Sequence, residues 1–594
     1  MARGRQKKKG AVEQSLLEQE HGTSLKKWTG RLPVALLYPN HYSIGVSSLG
    51  FQLVYSLLNT FGGVVCERVF LPEANEPLRS FESGRLLSEF PLIFYSISFE
   101  HDYVNLARLL LAARIPLFAA QRRDELITSA NPLVIGGGVA TFMNPEPIAP
   151  FTDLFLLGEA EGMLPVLFSF LDKYLATTNR SDLLYLLQQK LAGVYVPGLY
   201  TPLYDDDSGK QIGISHPDTI PARISKVIVS QTTKAAHSQL LSPKAEFANL
   251  YVTELGRGCS RGCRFCAAGF IYRPPRLWDA DAVIEGLEER GESVKRIGLL
   301  GMEMADEEEL KSLSSYLLSS GCSLSFSSLR ADRISGALLQ LLAASNLKSV
   351  AIAPDGASER LRRVINKNLT EADILLAAER LVEAGIFKLK LYLMIGLPSE
   401  TFDDLQEMIE LIKKVKEKML PHGKARGRLC EISLSVNSFA PKPWTPFQFH
   451  TFAGLELGGH ATGSAKKAIK SLKEKIAFLK KGLRDEANVR IHHDKPENVL
   501  FQAVLSKGDR RLAQVLATMA QEGIPWKQAM RRHDLNPEKY AIAHHGEDDF
   551  FPWNIIDHKI DQKYLWQEYQ KSFQAKTTIA CDTAVCRRCG VCGG

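Results

Sequence analysis

From Leu32 onward the chain alternates short apolar runs with longer stretches in which apolar positions recur every three or four residues. The runs "LPVALLYP", "GVVCERVFL", "PLIFYSISF", "IPLFAA", "NPLVIGG" and "DLFLLGE" have the pattern of buried strands. Between them, "FQLVYSLLNTFG" and "YVNLARLLLAARI" have helical spacing. Strands alternating with helices predict a parallel, doubly wound sheet, closing near Tyr174.

Residues 179–247 are more mixed, and "YTPLYDDDSGKQIG" looks like a β-turn excursion within a linker. A second alternating series begins at Ala248, with expected strands "LYVTEL", "RIGLLG", "SLSFSSLR", "SVAIAPD", "KLKLYLMIGLP" and "EISLSVNSF". Amphipathic segments such as "DAVIEGLEERG", "EADILLAAERLVEAG" and "DLQEMIELIKKVKEKM" separate them. These repeats suit an incomplete (β/α)6 barrel, because a full eight-fold barrel needs more strands. After Phe449 the pattern is mainly helical, and it finishes in "CDTAVCRRCGVCGG". The expected organisation is α/β: a basic tail (1–31), a doubly wound domain (32–178), a linker (179–247), a partial barrel (248–450), a helical region (451–580) and a cysteine-rich tail (581–594).

The 594 residues are 45% hydrophobic and 23% charged, an ordinary globular composition. No apolar run reaches the roughly 18–20 residues that span a bilayer. The opening "MARGRQKKKGAVEQSLLEQEHG" lacks the apolar core of a secretory signal. A cytoplasmic protein with no membrane partner is expected, its cysteines reduced and available for metal ligation or catalysis. Net charge is +7, and "RGRQKKKG" suits either contact with a nucleic-acid backbone or a solubility tail.

The cysteines change this picture most. Cys259, Cys263 and Cys266 form C-x3-C-x2-C within "GRGCSRGCRFC". Three thiolates on a tight loop can hold three irons of a [4Fe–4S] cube and leave the fourth open, whereas structural zinc normally closes its fourth position. Gly258 and Gly262 permit the tight turns, and Arg257, Arg261 and Arg264 can offset thiolate charge.

This motif, after the first strand of a partial barrel, resembles the radical S-adenosylmethionine (SAM) superfamily. The resemblance implies that the open iron binds the amine and carboxylate of SAM. Reductive cleavage, fed by a low-potential electron donor, then yields a 5′-deoxyadenosyl radical. It further implies SAM-binding roles for Gly301, Met302 and Glu303 in "LLGMEM", Arg330 in "SSLR", Asp355 in "AIAPDG" and Gly396 in "LYLMIGLPSET". All end strands, where barrel sites are built. Met302 stands where the family usually has Gly, and Asp355 where many relatives have Glu.

The N-terminal sheet resembles the cobalamin-binding domain of one branch of that superfamily. In "NHYSIG" Tyr42 occupies the place of the cobalt-ligating His of stand-alone modules, and Gly45 that of their Gly. Ser96 and Ser98, then Gly136, Gly137 and Gly138, fall where the branch lines the nucleotide tail, and Glu159 and Glu161 match its acidic turn. Cobalamin and methyl transfer to an unknown substrate are thereby implied, with a small partner protein. Sulfur insertion into tRNA by a methylthiotransferase-like route is a rival, as is a non-catalytic RNA or ribosome-assembly binder.

Cys581, Cys586, Cys589 and Cys592 form a second set. Four thiolates this close share a cation or stay protonated, and by count they suit zinc or a second [4Fe–4S] cluster equally. The radical-enzyme context favours the cluster. Cys66, Cys322 and Cys430 are expected as buried, inert thiols. "LSKGDRRLAQVL" could offer basic residues to phosphate or be an exposed helix start, and the prolines of "FAPKPWTPF" predict a rigid loop.

Overall fold

The computed structural model describes residues 16–592 apart from 73–76, 302–306, 327, 346 and 456–463. Its first layer is a six-stranded sheet of β1 (Leu32–Tyr38), β2 (Val64–Phe70), β3 (Leu92–Ser96), β4 (Leu133–Gly137), β5 (Leu154–Leu156) and β6 (Val194–Tyr195). The strand order is β2-β1-β3-β4-β5-β6, parallel except where β6 pairs with β5. Within β1 the side chains divide by parity. Val34, Leu36 and Tyr38 join one core cluster, while Ala35 and Leu37 join the other. A continuous apolar run is required because helices cover both faces. The order reverses between β1 and β3, so a crevice opens at their carboxyl ends.

Three stretches depart from the sequence expectation. "IPLFAA" is a loop ending in a 3-10 turn at Ala119–Gln121, because Pro116 has no N–H to give a ladder. Residues 179–247 are no plain linker. They contain a helix (Arg180–Lys190), β6, a hairpin (Thr201–Tyr204 with Gln211–Ser215), and a strand (Ile224–Ser225) that pairs with Ile556–Asp557. Within the first 31 residues, Glu20 is buried against Arg68 at 2.6 Å, and Trp28 donates to Glu67, so this part is stitched to the sheet. The run "RGRQKKK" lies outside the described residues.

The second layer is a curved series of parallel strands. Tyr251–Glu254, Arg296–Leu300 and Ser323–Phe326 form one sheet, and Ser349–Asp355, Lys388–Ile395, Glu431–Ser438 and Val489–His493 form another. A parallel bridge between Leu329 and Ile352 joins the two. The first six are the strands expected. The seventh, Val489–His493, was hidden because its "VRIHH" has little apolar content and its outer face is exposed. In Lys388–Ile395 every second residue is buried outward against helices, leaving Tyr392 and Met394 to face the barrel interior. Helices Glu371–Glu383 and Phe402–Ala425 pack over this side, with Ile374, Leu381, Leu405 and Ile412 buried. Each such side chain contributes about 1.5–3 kcal/mol.

The region after Phe449 is mainly helical, and it closes the interface between the layers. "SKGDRR" is not an exposed helix start: Lys507 and Asp509 are buried, Arg510 pairs with Glu146 at 2.7 Å, and Arg511 binds Asp509. These basic groups are spent inside the protein, not offered to phosphate. Trp444 in the proline-rich loop is likewise buried and donates to the Met143 carbonyl at 3.2 Å, so that loop is structural.

Candidate functional site

A cavity of about 960 Å³ lies between the two layers. The carboxyl ends of the doubly wound sheet contribute Ser96, Ser98, Gly138 and Glu159, and the barrel contributes Cys259, Cys263, Cys266, Gly301, Arg330 and Asp355. Sheets of both kinds build ligand sites at their carboxyl ends, so the two architectures share a single chamber.

The triad loop leaves the first barrel strand through a short ribbon in which Gly256–Arg257 pairs with Arg276–Leu277. Gly258 has φ +88°, and a Cβ there would lie 2.9 Å from the Tyr272 carbonyl oxygen, so only glycine lets the loop turn. Burial pushes the Cys263 thiol up to about 12 and raises Cys266, and nearby cysteine charge adds to both. Among the described residues no set of three ligating side chains is drawn into metal geometry, and no cysteine pair is joined as a disulfide. Such thiols deprotonate when a cation shares their charge. Arg330 and Lys367 supply further positive potential at Cys263. Three mutually close thiols on one wall of one cavity fit an open-iron cluster.

Around the triad, several expected residues are already engaged. Arg330 holds Asp332 with Nε at 2.9 Å and Nη2 at 3.0 Å, and also donates to the Lys367 carbonyl at 2.8 Å. Asp355 sits at φ +60° on an irregularity of its strand and accepts from Lys367 at 2.6 Å. Gly396 turns at φ +75° and donates to Glu400, but a Cβ there would strike Leu472 and Ala453, placing it behind the cavity wall. Met302 and Glu303 lie outside the described residues.

The sheet side divides similarly. Gly138 has φ +99°, and a Cβ would come within 2.5 Å of the Ile97 backbone nitrogen and oxygen. Gly136 packs inside the sheet against Tyr95 and Phe155, while Gly137 meets only the Tyr95 carbonyl. Tyr42 is not at the cavity. Its hydroxyl donates to Glu20 at 2.6 Å, its ring stacks on Phe81, and burial raises its pKa beyond the ordinary tyrosine range. Gly45 beside it packs against Phe70. The position at which stand-alone cobalamin modules carry the cobalt-ligating His therefore holds a structural tyrosine here.

Glu159 and Glu161 face the cavity but act as struts. Glu159 pairs with Arg276 at 2.7 Å and Arg257 at 3.1 Å, and Arg257 also holds Glu161 at 2.5 Å and Glu254 at 2.9 Å. Three carboxylates around one guanidinium bind the sheet layer to the barrel layer. Two groups were missed from sequence: Lys367 and Asn366, in "VINKNLT". Asn366 donates to the carbonyls of Arg261 and Gly262 at 3.3 and 3.2 Å, and so braces the triad loop. The left-handed φ of Asn366 and Asn368 marks this turn, and the Asn-Lys-Asn run was its sequence signal.

A family model described as the radical SAM superfamily matches residues 253–412, over the barrel and the triad. The chain belongs to the radical SAM superfamily. A second model, radical SAM proteins, N-terminal, matches residues 50–197. An uncharacterized protein of Methanocaldococcus jannaschii is 29% identical over 485 residues, covering 81% of this chain and 90% of that relative. Among solved structures, the radical SAM methyltransferase TsrM of Kitasatospora setae, with cobalamin and a [4Fe–4S] cluster bound, is 13% identical with TM-score 0.47, over 85% of this chain and 99% of that one. The cobalamin-dependent radical enzyme OxsB, with aqua-cobalamin and SAM bound, is 13% identical with TM-score 0.46, over 92% of this chain and 80% of that one.

As a radical SAM enzyme the chain uses SAM and needs an electron donor. Among the described residues, no helix is long and apolar enough to cross a membrane.

Proposed function

We propose that this radical SAM enzyme is cobalamin-associated and transfers a methyl group to an unactivated carbon of its substrate. The observation that carries the reading is the shared chamber, in which the switch point of the doubly wound sheet and the carboxyl end of the barrel open onto one cavity. When bound, an open-iron [4Fe–4S] cluster with SAM supplies a 5′-deoxyadenosyl radical, and cobalamin supplies a transferable methyl group.

In this reading Cys259, Cys263 and Cys266 hold the cluster. Gly301 and Arg330 face the SAM methionine, and Asp355 faces its ribose once Lys367 yields. Ser96, Ser98 and Gly138 line the cobalamin side. With Tyr42 turned to Glu20, the chain offers no side chain there for the lower face of cobalt, so cobalamin would bind without a protein ligand from that position. Phe142, Tyr272 and Met394 give the chamber apolar walls that exclude water from a radical. The four tail cysteines hold a second metal centre. None of these four cysteines lines the chamber, which disfavours sulfur insertion, a chemistry that needs its sulfur source beside the substrate. A low-potential electron donor and a small partner protein complete the system.

Anaerobically reconstituted protein given SAM and dithionite should release 5′-deoxyadenosine, read by chromatography, and should take up hydroxocobalamin in a base-off, His-off form. Cys263→Ala should abolish the first. Unchanged SAM cleavage by a triple Cys259/Cys263/Cys266→Ala protein overturns the radical assignment, and no cobalamin uptake by iron-replete protein overturns the cobalamin reading.

A further inference from the structure

The cysteine-rich tail does not trail away from the enzyme. The Cys581 N–H donates to the Ser260 carbonyl at 2.7 Å, one residue from the triad ligand Cys259. That single link holds the two cysteine Cα atoms within about 10 Å of each other. The tail is fastened to the same loop at two further points. The Thr578 N–H donates at 2.8 Å to Asn366 Oδ1, the side chain that braces Arg261 and Gly262. Arg264, which lies between Cys263 and Cys266 in sequence, is fully buried and donates to the Lys576 carbonyl at 2.7 Å and to Glu568 at 3.1 Å.

Between the two cysteine sets stands Arg273. Its guanidinium lies 4.6 Å over Phe270 and 5.4 Å over Tyr564. A Cβ at Gly262 would be 3.4 Å from its Nη2, and the same side chain reaches the Cys589 sulfur. The four tail thiols also sense one another: Cys581 neighbours Cys586 and Cys589, and Cys592 neighbours Cys586 and Cys589. Cys589 is 4% exposed, while Ile579 and Val585 beside the set are 82% and 74% exposed. The set thus has one buried member, Cys589, and three half-buried ones, with apolar neighbours open to solvent. Arg588 Nε donates to Cys586 Sγ at 3.3 Å. N–H donors and positive charge on cluster sulfurs favour the reduced, more negative state of an iron–sulfur centre.

We propose that Cys581, Cys586, Cys589 and Cys592 hold a [4Fe–4S] cluster that relays electrons to the triad cluster past Arg273. The proposal rests on the radical SAM assignment of the triad. One electron from a low-potential one-electron donor, a reduced flavin or iron–sulfur protein, reduces the tail cluster from the 2+ to the 1+ state. The same electron then passes to the triad cluster, restoring the tail to 2+, and is consumed in breaking the sulfonium C–S bond of SAM. Zinc in the same thiols would be redox-inert and could not serve this path.

The test uses the full chain, reconstituted without oxygen, beside three variants: a tail variant with all four tail cysteines changed to Ala, a triad variant with Cys259, Cys263 and Cys266 changed to Ala, and Arg273→Gln. Iron and zinc content and the EPR spectrum of the reduced proteins are read first. The full chain should hold about eight irons, and the tail and triad variants about four each, with negligible zinc. The signal left in the triad variant should be insensitive to SAM, and the one left in the tail variant should respond to it. Arg273→Gln keeps every ligand, and should keep the iron while lowering the midpoint potential of the tail signal. With a reduced flavodoxin-type protein as donor, the tail variant should reduce its triad cluster at least tenfold more slowly than the full chain.

One zinc that survives in the triad variant and vanishes from the tail variant overturns the iron–sulfur assignment, as does equal iron in the full chain and the tail variant. Equal reduction rates overturn the relay. Loss of the SAM-sensitive signal from the full chain, with the tail signal intact, would instead contradict the triad reading.

Discussion

Lys367 and Asp355 form an ion pair on the rim of the chamber, Nζ to Oδ2 2.6 Å, and the same lysine faces the Cys263 thiol. Burial pulls the lysine's pKa down, but the carboxylate of Asp355 and then Cys263 more than restore it. The pair therefore couples a chamber-lining carboxylate to the electrostatics of the triad.

Removing one member of this pair leaves a nearly buried charge without its partner. Lys367→Met should lower stability by about 3 kcal/mol, and Asp355→Asn combined with it should cost less than the two single changes added together. Urea unfolding of both single variants and the double variant measures the coupling. Strict additivity would refute a direct interaction.

Gly138 and Gly137 are adjacent but differ in what they tolerate. Gly138→Ala forces a methyl group to 2.5 Å from the Ile97 backbone at φ +99°, whereas at Gly137 the nearest atom is 3.8 Å away. The first should cost about 2–3 kcal/mol and the second less than about 1 kcal/mol. Thermal melting of the two proteins should separate them clearly.

Arg257 is paired with Glu159, Glu161 and Glu254 at once. Arg257→Met should destabilise the protein by about 3 kcal/mol or more, and Arg257→Lys should recover only part of this, because an ammonium cannot fork among three carboxylates. Limited proteolysis of the two layers, with denaturant titration, reads the effect. Full recovery by lysine would mean that the fork geometry is irrelevant.

Burial and then the charge of Lys210 push Lys507 down to about 7, and burial first pushes Lys226 to about 7 also. In the unfolded chain a lysine titrates near its ordinary value of about 10.4. Between those limits the unfolded chain carries a proton that the folded chain lacks, so each lysine makes stability rise with pH by up to about 1.4 kcal/mol per unit. The rise shows between about pH 7 and 8, because above about 8.5 the buried thiols of Cys66, Cys263 and Cys266, raised chiefly by burial, make stability fall. His545 at about 4 and His450 at about 3, both depressed chiefly by burial, also make stability rise with pH, but only below the ordinary histidine range. Lys507→Met should therefore roughly halve the slope between about pH 7 and 8. An unchanged slope by chemical denaturation across that range would exclude Lys507 as its source.

The layers and the triad were legible in the sequence because each rests on local information. Strand parity in "PVALLY", the apolar repeats of the barrel and the spacing of Cys259, Cys263 and Cys266 depend on neighbours a few positions apart. The sequence did not disclose Val489–His493 as a strand, because its partner Glu431–Ser438 supplies the ladder that its own composition does not advertise. Nor did it disclose that Tyr42 turns to Glu20, that Arg257 gathers three acids, or that "SKGDRR" folds inward. Those outcomes hang on where opposite charges from distant segments come to rest once they leave water. The same holds for the tail: the spacing of its four cysteines is readable in the sequence, but only the packed structure sets Cys581 against Ser260 and Arg273 between the two sets. Sequence determines which groups a loop can bring to a site, whereas the tertiary fold decides which of them are already paired and which face the chamber, because a charge buried without a partner is costly and either pairs or shifts its pKa towards the neutral form.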